Sequence, residues 1–216
     1  RGNNLKYVSR KRRVKENKRF TTGTAVFVKD ISLPNLQHCA VVQSPYPRAN
    51  ILSIDFNTAL SMEGVKYVLT GEEFRANAND LKFGLDTPEV KWYPLAVDIT
   101  RYVGEWVAIV VADNIYTAED AAELVDVAYE PLKPIIDPEE AYEEHERLVH
   151  PAHGSNVIYD GHFSWGPVEE DFGRADKILS RRVRWGRSST VPIETFGVVA
   201  SWNESVDILD IWAPIQ

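Results

Sequence analysis

The sequence contains a single cysteine, Cys39. One thiol excludes an internal disulfide, and it leaves no set of about four thiolates for an iron–sulfur cluster carried by this chain. No apolar run approaches the ~18 residues of a membrane-crossing helix, and the basic N-terminus lacks the apolar core of a signal peptide. A cytoplasmic setting without a membrane span is the default expectation. Gly71, Gly84, Gly104 and Gly186 stand isolated, so neither a dinucleotide fingerprint nor a phosphate-cradling loop can be read. Internal repeats and low-complexity tracts are also missing.

What is present is ordinary globular composition, 44% hydrophobic and 26% charged over 216 residues, enough for one large or two small domains with a sizeable core. Charge is uneven along the chain. Residues 1–20 hold nine Lys and Arg against Glu16, hence +8, which leaves −16 for the remainder of a chain at −8. Such an arm can bind nucleic acid or an acidic surface. The commoner fate is a solvated arm lying along its own acidic body or a partner subunit.

Residues 101–137 read most clearly. Residues 107–112 form a continuous β-branched apolar run, the pattern of a strand covered on both faces. A helix is expected to begin at Thr117, with Thr117 as cap and Asp120 as the acidic partner in its first turn. Ala118, Ala121, Ala122 and Val125 recur at i, i+3, i+4 and i+7, a narrow face of small residues able to approach a sheet closely. Val125, Val127 and Tyr129 then alternate with Asp126, Ala128 and Glu130, a strand with one wet face ended by Pro131.

Further strands are expected at residues 25–28, 38–42, 65–69, 178–185, 197–202 and 208–212, and at 52–56 from the alternation of Leu52, Ile54 and Phe56. Residues 44–47, Ser-Pro-Tyr-Pro, are a stiff turn, and residues 76–92 read as a loop. Acidic, polar residues 138–146 suggest a linker. Pro167 should start a short helix carrying Val168, Phe172 and Ala175.

Several residues invite chemical readings. His150 and His153 lie three apart with His145 and His162 nearby, yet Pro151 and Gly154 argue against a regular helix there, which favours a surface loop over a metal site. Cys39 lies in an apolar strand pattern and reads as a buried, inert thiol. Arg181, Arg182, Arg184 and Arg187 could clamp a pyrophosphate, but alternation along a strand more often turns such residues to solvent or a subunit contact.

The residues also carry a resemblance. The stretch YVGEWVAIVVADNIYTAEDAAELVDVAYEPLKPIIDPEEA resembles the N-terminal hammerhead domain of the large, molybdenum-binding subunit in the xanthine dehydrogenase, aldehyde oxidase and aerobic carbon monoxide dehydrogenase family. SRKRRVKENKRFTTGTAVFVKDI is similar to the family's opening R-x-x-D-K-R-F-x-x-G-x-x-x-F-x-D-D-I segment, departing at Lys29, and VPIETFGVVASWNESVDILDIWAPIQ to its P-L-E-T-x-G-x-V-A-S-F block and the strand after it, in the form nearest the carbon monoxide dehydrogenase-like branch.

What the resemblance implies is an α+β chain with a mixed-sheet α/β hammerhead domain at residues 21–137, a linker at 138–160 and the start of a molybdopterin-binding domain at 161–216. Gln216 falls on the family's glutamine beside the molybdenum centre, where a carboxamide can donate a hydrogen bond without adding charge. Ile215 replaces the usual threonine. Glu194 falls on a family glutamate that either contacts the cofactor or is a partly buried carboxylate accepting backbone N–H groups. No catalytic base is expected within this chain, because the family's base, substrate loop and glycine-rich cofactor loop lie further along.

The implied function is oxidation of a small substrate (an aldehyde, an N-heteroaromatic ring or carbon monoxide) with water-derived oxygen. Electrons would pass to FAD and [2Fe-2S] partner subunits in a dimer of hetero-oligomers. Rival readings are a non-catalytic assembly subunit of such a complex and, behind it, a nucleic-acid binder acting through residues 1–20. The last strand, apolar and without a cap, is expected to be covered by the remainder of a molybdenum subunit.

Overall fold

A helix resting on the central strand of an antiparallel sheet organises most of the chain. The computed structural model describes residues 14–81, 90–186, 188–189 and 191–215. They fall into two compact units, one spanning Leu36–Leu179 and the other combining residues before and including Asn35 with those from Ser180 onward.

In chain order the elements are α1 (Asn17–Thr21), β1 (His38–Gln43), β2 (Ala49–Asp55), α2 (Asn57–Ser61), β3 (Val65–Thr70), α3 (Gly71–Asn77), β4 (Ile99–Thr100), β5 (Trp106–Ala112), α4 (Ile115–Glu123), β6 (Asp126–Pro131), α5 (Pro138–Glu143), α6 (Val168–Arg174), β7 (Val199–Asn203) and β8 (Ile208–Trp212). Short 3-10 turns occupy Val28–Asp30 and Pro151–His153. The larger unit holds two sheets, ordered β1-β5-β3 and β4-β2-β6, and the other unit the hairpin β7-β8. Every pairing is antiparallel.

The sequence dictates the seam between α4 and β5. Ala108, Val110 and Ala112 alternate onto one face of β5, and Ala118 and Ala121 on α4 close over that face, all five fully buried. Short side chains on both surfaces bring helix and sheet together, and Val125, Val68 and Ala59 seal the margin. The expected small-residue face is therefore the docking face. The helix starts earlier than expected, at Ile115. Asn114, in extended backbone, accepts the Thr117 N–H at 3.0 Å and donates to the Thr117 hydroxyl at 2.9 Å, so Asn114 is the cap and Asp120 sits exposed in mid-helix.

Other departures have local causes. Ile54 and Phe56 pack against the core as expected, but Leu52 points outward, 65% exposed, where the register of β2 against β6 shifts between Ile51 and Ser53. Residues 25–28 form no strand: the Phe27 N–H goes to the Asp30 carboxylate and the Val28 N–H to Glu194, so side chains take the donors a neighbouring strand would need. Residues 178–185 keep a strand-like pattern but pair with no strand among the described residues, and all eight are exposed. Pro167 sits one residue before α6 rather than in its first turn and makes no side-chain cap, and Val168 and Phe172 face solvent. Gly71 opens α3 with its Cα against the backbone of Ala96. A Cβ there would lie 2.0 Å from the Ala96 carbonyl oxygen, which explains this isolated glycine by packing.

Ala121→Leu places a branched side chain in the α4–β5 seam and should lower stability by ~1–3 kcal/mol. Thermal unfolding reads this, and an unchanged midpoint would show that the helix does not depend on close docking.

Candidate functional site

Two groups of polar side chains stand out, one in each unit. In the unit containing the chain's last segment, Glu194 is half-buried in the turn before β7, and its Oε1 accepts the Val28 N–H at 2.9 Å. This geometry is that of the bracing carboxylate, one of the two roles left open from sequence. It ties the turn around Glu194 to the 3-10 turn at Val28–Asp30. Gln216 lies outside the described residues. Around this segment Ile193, Phe196, Trp202, Ile208, Leu209, Ile211 and Trp212 remain exposed, so among the described residues nothing covers the apolar side chains of the β7-β8 hairpin.

The other group was not anticipated. Glu105 precedes the continuous apolar run of β5 and is only 3% exposed. It receives the Arg101 backbone N–H and Arg101 Nη1, the latter at 3.4 Å. Gly104, at φ 86°, makes the turn that brings them together, and its N–H reaches the Ser44 carbonyl at 2.8 Å. Burial pushes the Glu105 carboxyl above its ordinary range, and the Arg101 N–H groups and charge oppose that rise. Beneath the turn, the buried hydroxyls of Ser44 and Thr100 lie 3.1 Å apart. A charged residue immediately before a buried strand was the available signal for this site.

The same arginine reaches the acidic stretch that follows β6. Arg101 Nε donates to the Val149 carbonyl at 3.2 Å, while Arg48 donates to the carbonyls of Lys133 at 3.2 Å and Leu148 at 3.0 Å. Asn156 takes the Val149 N–H at 2.8 Å and donates to the carbonyls of Arg147 and Ala141. Arg147 pairs with Glu144 at 2.6 Å and with Glu140. The backbone N–H groups of Glu146 and Arg147, together with the Arg147 side chain, hold the Glu144 carboxyl down to about 2.

Cys39 corrects the expectation of a buried thiol. Ala40 turns toward the core, which leaves Cys39 exposed on the opposite face of β1, across from Val111. Partial desolvation raises its pKa, so the protonated thiol is the neutral-pH form. His153 lies in the 3-10 turn, with Nε2 3.0 Å from the Val157 carbonyl. Among the described residues no three His, Cys, Asp or Glu side chains are placed to hold a metal ion. Arg181, Arg182 and Arg184 are exposed, and Arg187 lies outside the described residues.

With the fold and these sites in view, comparison with known proteins is informative. The family model for the aldehyde oxidase and xanthine dehydrogenase a/b hammerhead domain matches residues 22–133, just over half of the chain. The chain belongs to the aldehyde oxidase and xanthine dehydrogenase family. A second model, the molybdopterin cofactor-binding domain, matches residues 149–216, the range that holds Glu194 and Gln216. Among curated members of the family, the chain is 34% identical to the 6-hydroxypseudooxynicotine dehydrogenase complex subunit gamma of Paenarthrobacter nicotinovorans, over 100% of this chain and 28% of that protein. It is 31% identical to the carbon monoxide dehydrogenase large chain of Hydrogenophaga pseudoflava, over 88% of this chain and 25% of that one.

Among solved structures, quinoline 2-oxidoreductase from Pseudomonas putida 86 superposes with a TM-score of 0.80 at 30% identity, covering 92% of this chain and 26% of that one. The α+β fold expected from the hammerhead resemblance is thus that of the family. The chain spans about a quarter of the length of the relatives it matches.

The Arg101 group generates a pH dependence. His150 is held below its ordinary value of 6.5, first by burial and then by the charges of Arg101 and His153. The folded state therefore resists a proton that the unfolded chain accepts. Its contribution to stability is complete above about pH 6.5 and is lost as the pH falls through that value toward the depressed folded one. Urea midpoints at about pH 7.5 and about pH 5.5 should differ, with the lower pH less stable. His150→Gln should shrink the difference, and an equal drop in that variant would remove His150 as the cause.

Proposed function

We propose that this chain is the N-terminal part of the large subunit of a molybdenum hydroxylase, which oxidises a small substrate with oxygen taken from water. The observation that carries the reading is the order of the two family matches, hammerhead then molybdopterin cofactor-binding domain, on a chain whose fold follows quinoline 2-oxidoreductase at a TM-score of 0.80. Residues 21–137 would be the hammerhead domain, 138–160 the connection and 161–216 the beginning of the cofactor-binding domain. The remainder of the subunit would cover the apolar side chains of β7 and β8, and FAD and [2Fe-2S] subunits would receive electrons. Two relatives are named as subunits of larger proteins, a gamma subunit and a large chain, which supports a heteromeric assembly, here read as a dimer of hetero-oligomers in the cytoplasm.

When bound, a molybdenum cofactor supplies the two-electron oxidation. The chain's own residues would orient and brace. Gln216 is the residue proposed to approach the cofactor, offering a neutral carboxamide donor, on the resemblance of its segment to the family's. Glu194, already engaged by the Val28 N–H, would hold the backbone that leads to it rather than touch the cofactor. The substrate class is drawn from the relatives' range and includes N-heteroaromatic compounds, aldehydes and carbon monoxide.

In the complete enzyme, Gln216→Ala should keep its molybdenum and its fold but lose turnover by on the order of 10²-fold, the usual effect of removing one preorganised donor. Full activity in that variant would remove Gln216 from the site.

A further inference from the structure

We infer that Arg48 and Arg101 are positioning residues: through backbone carbonyls they clasp the segment leading out of the hammerhead domain, so that the cofactor-binding stretch starts from a fixed place on the larger unit. The inference rests on the reading of residues 149–216 as the start of a cofactor-binding domain. One guanidinium, that of Arg48, joins Lys133 to Leu148, which are 15 positions apart and flank α5. The main chain of Arg48 is itself fixed by the Leu132 N–H at 2.9 Å.

Arg101 adds the Val149 carbonyl while anchored on the buried Glu105, and Asn156 takes the Val149 N–H. Both main-chain polar groups of Val149 are thus bound just where the cofactor-domain match begins. An irregular segment has no ladder to satisfy its backbone, and planar arginine forks supply the donors it lacks. Pinning both ends of the 134–147 loop removes the freedom a simple linker would keep. Among the described residues no carboxylate lies within ion-pair distance of Arg48; the two hydrogen bonds it donates both go to backbone carbonyls.

The test uses the complete large subunit in its assembled complex, as Arg48→Met and, separately, Asn156→Ala, so that one variant remains if the other fails to fold. Amide exchange within residues 144–157, and tryptic cleavage after Arg147, should each accelerate roughly tenfold, while exchange in β5 and α4 stays as in the parent protein. Molybdenum per subunit should fall at an unchanged substrate KM for the loaded fraction, and Arg48→Lys, which keeps a charge but not the fork, should lie between. Unchanged exchange at residues 144–157 would overturn the clasp. Faster exchange with parental molybdenum content and turnover would overturn the positioning role. A parent subunit without molybdenum would contradict the cofactor reading alone, and the exchange measurement would still decide the clasp.

Discussion

How closely a helix can approach a sheet is set by the side chains between them, and in this chain those side chains are mostly alanine. Ala118 and Ala121 on α4 meet Ala108 and Ala112 on β5 with no exposed surface left on any of the four. Because β5 is the middle strand, this seam also fixes β1 and β3, whose registers are both read against it. Little volume separates the layers, so the arrangement tolerates loss of a methyl better than gain of one. The turn that feeds β5 inherits the same rigidity. Glu105 can be buried there because Arg101, four residues earlier, is held in place to meet it.

A buried carboxylate is costly unless its partner is secured, and removal of one member of such a pair typically costs about 3–5 kcal/mol. Here the Arg101 guanidinium is held by the Ile99 and Val149 carbonyls as well as by Glu105. The outcome is continuity between the edge of the sheet and the segment that follows α5. Stability in the larger unit and placement of residues 144–157 thus depend on one set of hydrogen bonds. The other unit differs in kind: its hairpin has two strands and leaves Trp202 and Trp212 open.

Legibility in the sequence followed how local the determining forces were. The α4 face, β5 and β6 were readable because apolar period and residue size act within a few positions. The helix start is not legible locally, since either Thr117 or Asn114 can cap and only the extended backbone at Asn114 decides. The bulge at Leu52 depends on how β2 meets β6, 80 residues away in pairs such as Asn50 with Glu130. The exposure of Cys39 is not legible because a continuous apolar strand gives no alternation to orient it. The acidic composition of residues 138–146 suggested a linker, and nothing local revealed that Arg48 and Arg101 bind its neighbouring carbonyls. For the candidate site, Glu194 is legible through family resemblance and its bond to the Val28 N–H only through geometry, while the one local sign of Glu105 is a charge at the mouth of a buried strand.

The central claim, that this chain is part of a molybdenum enzyme's large subunit, is tested most directly by elemental and cofactor analysis of the complete protein purified from cells supplied with molybdate. Molybdenum and a pterin should be bound to the subunit that contains these residues, with flavin and iron in the chains that accompany it. A pure, folded subunit holding neither molybdenum nor pterin would contradict the claim.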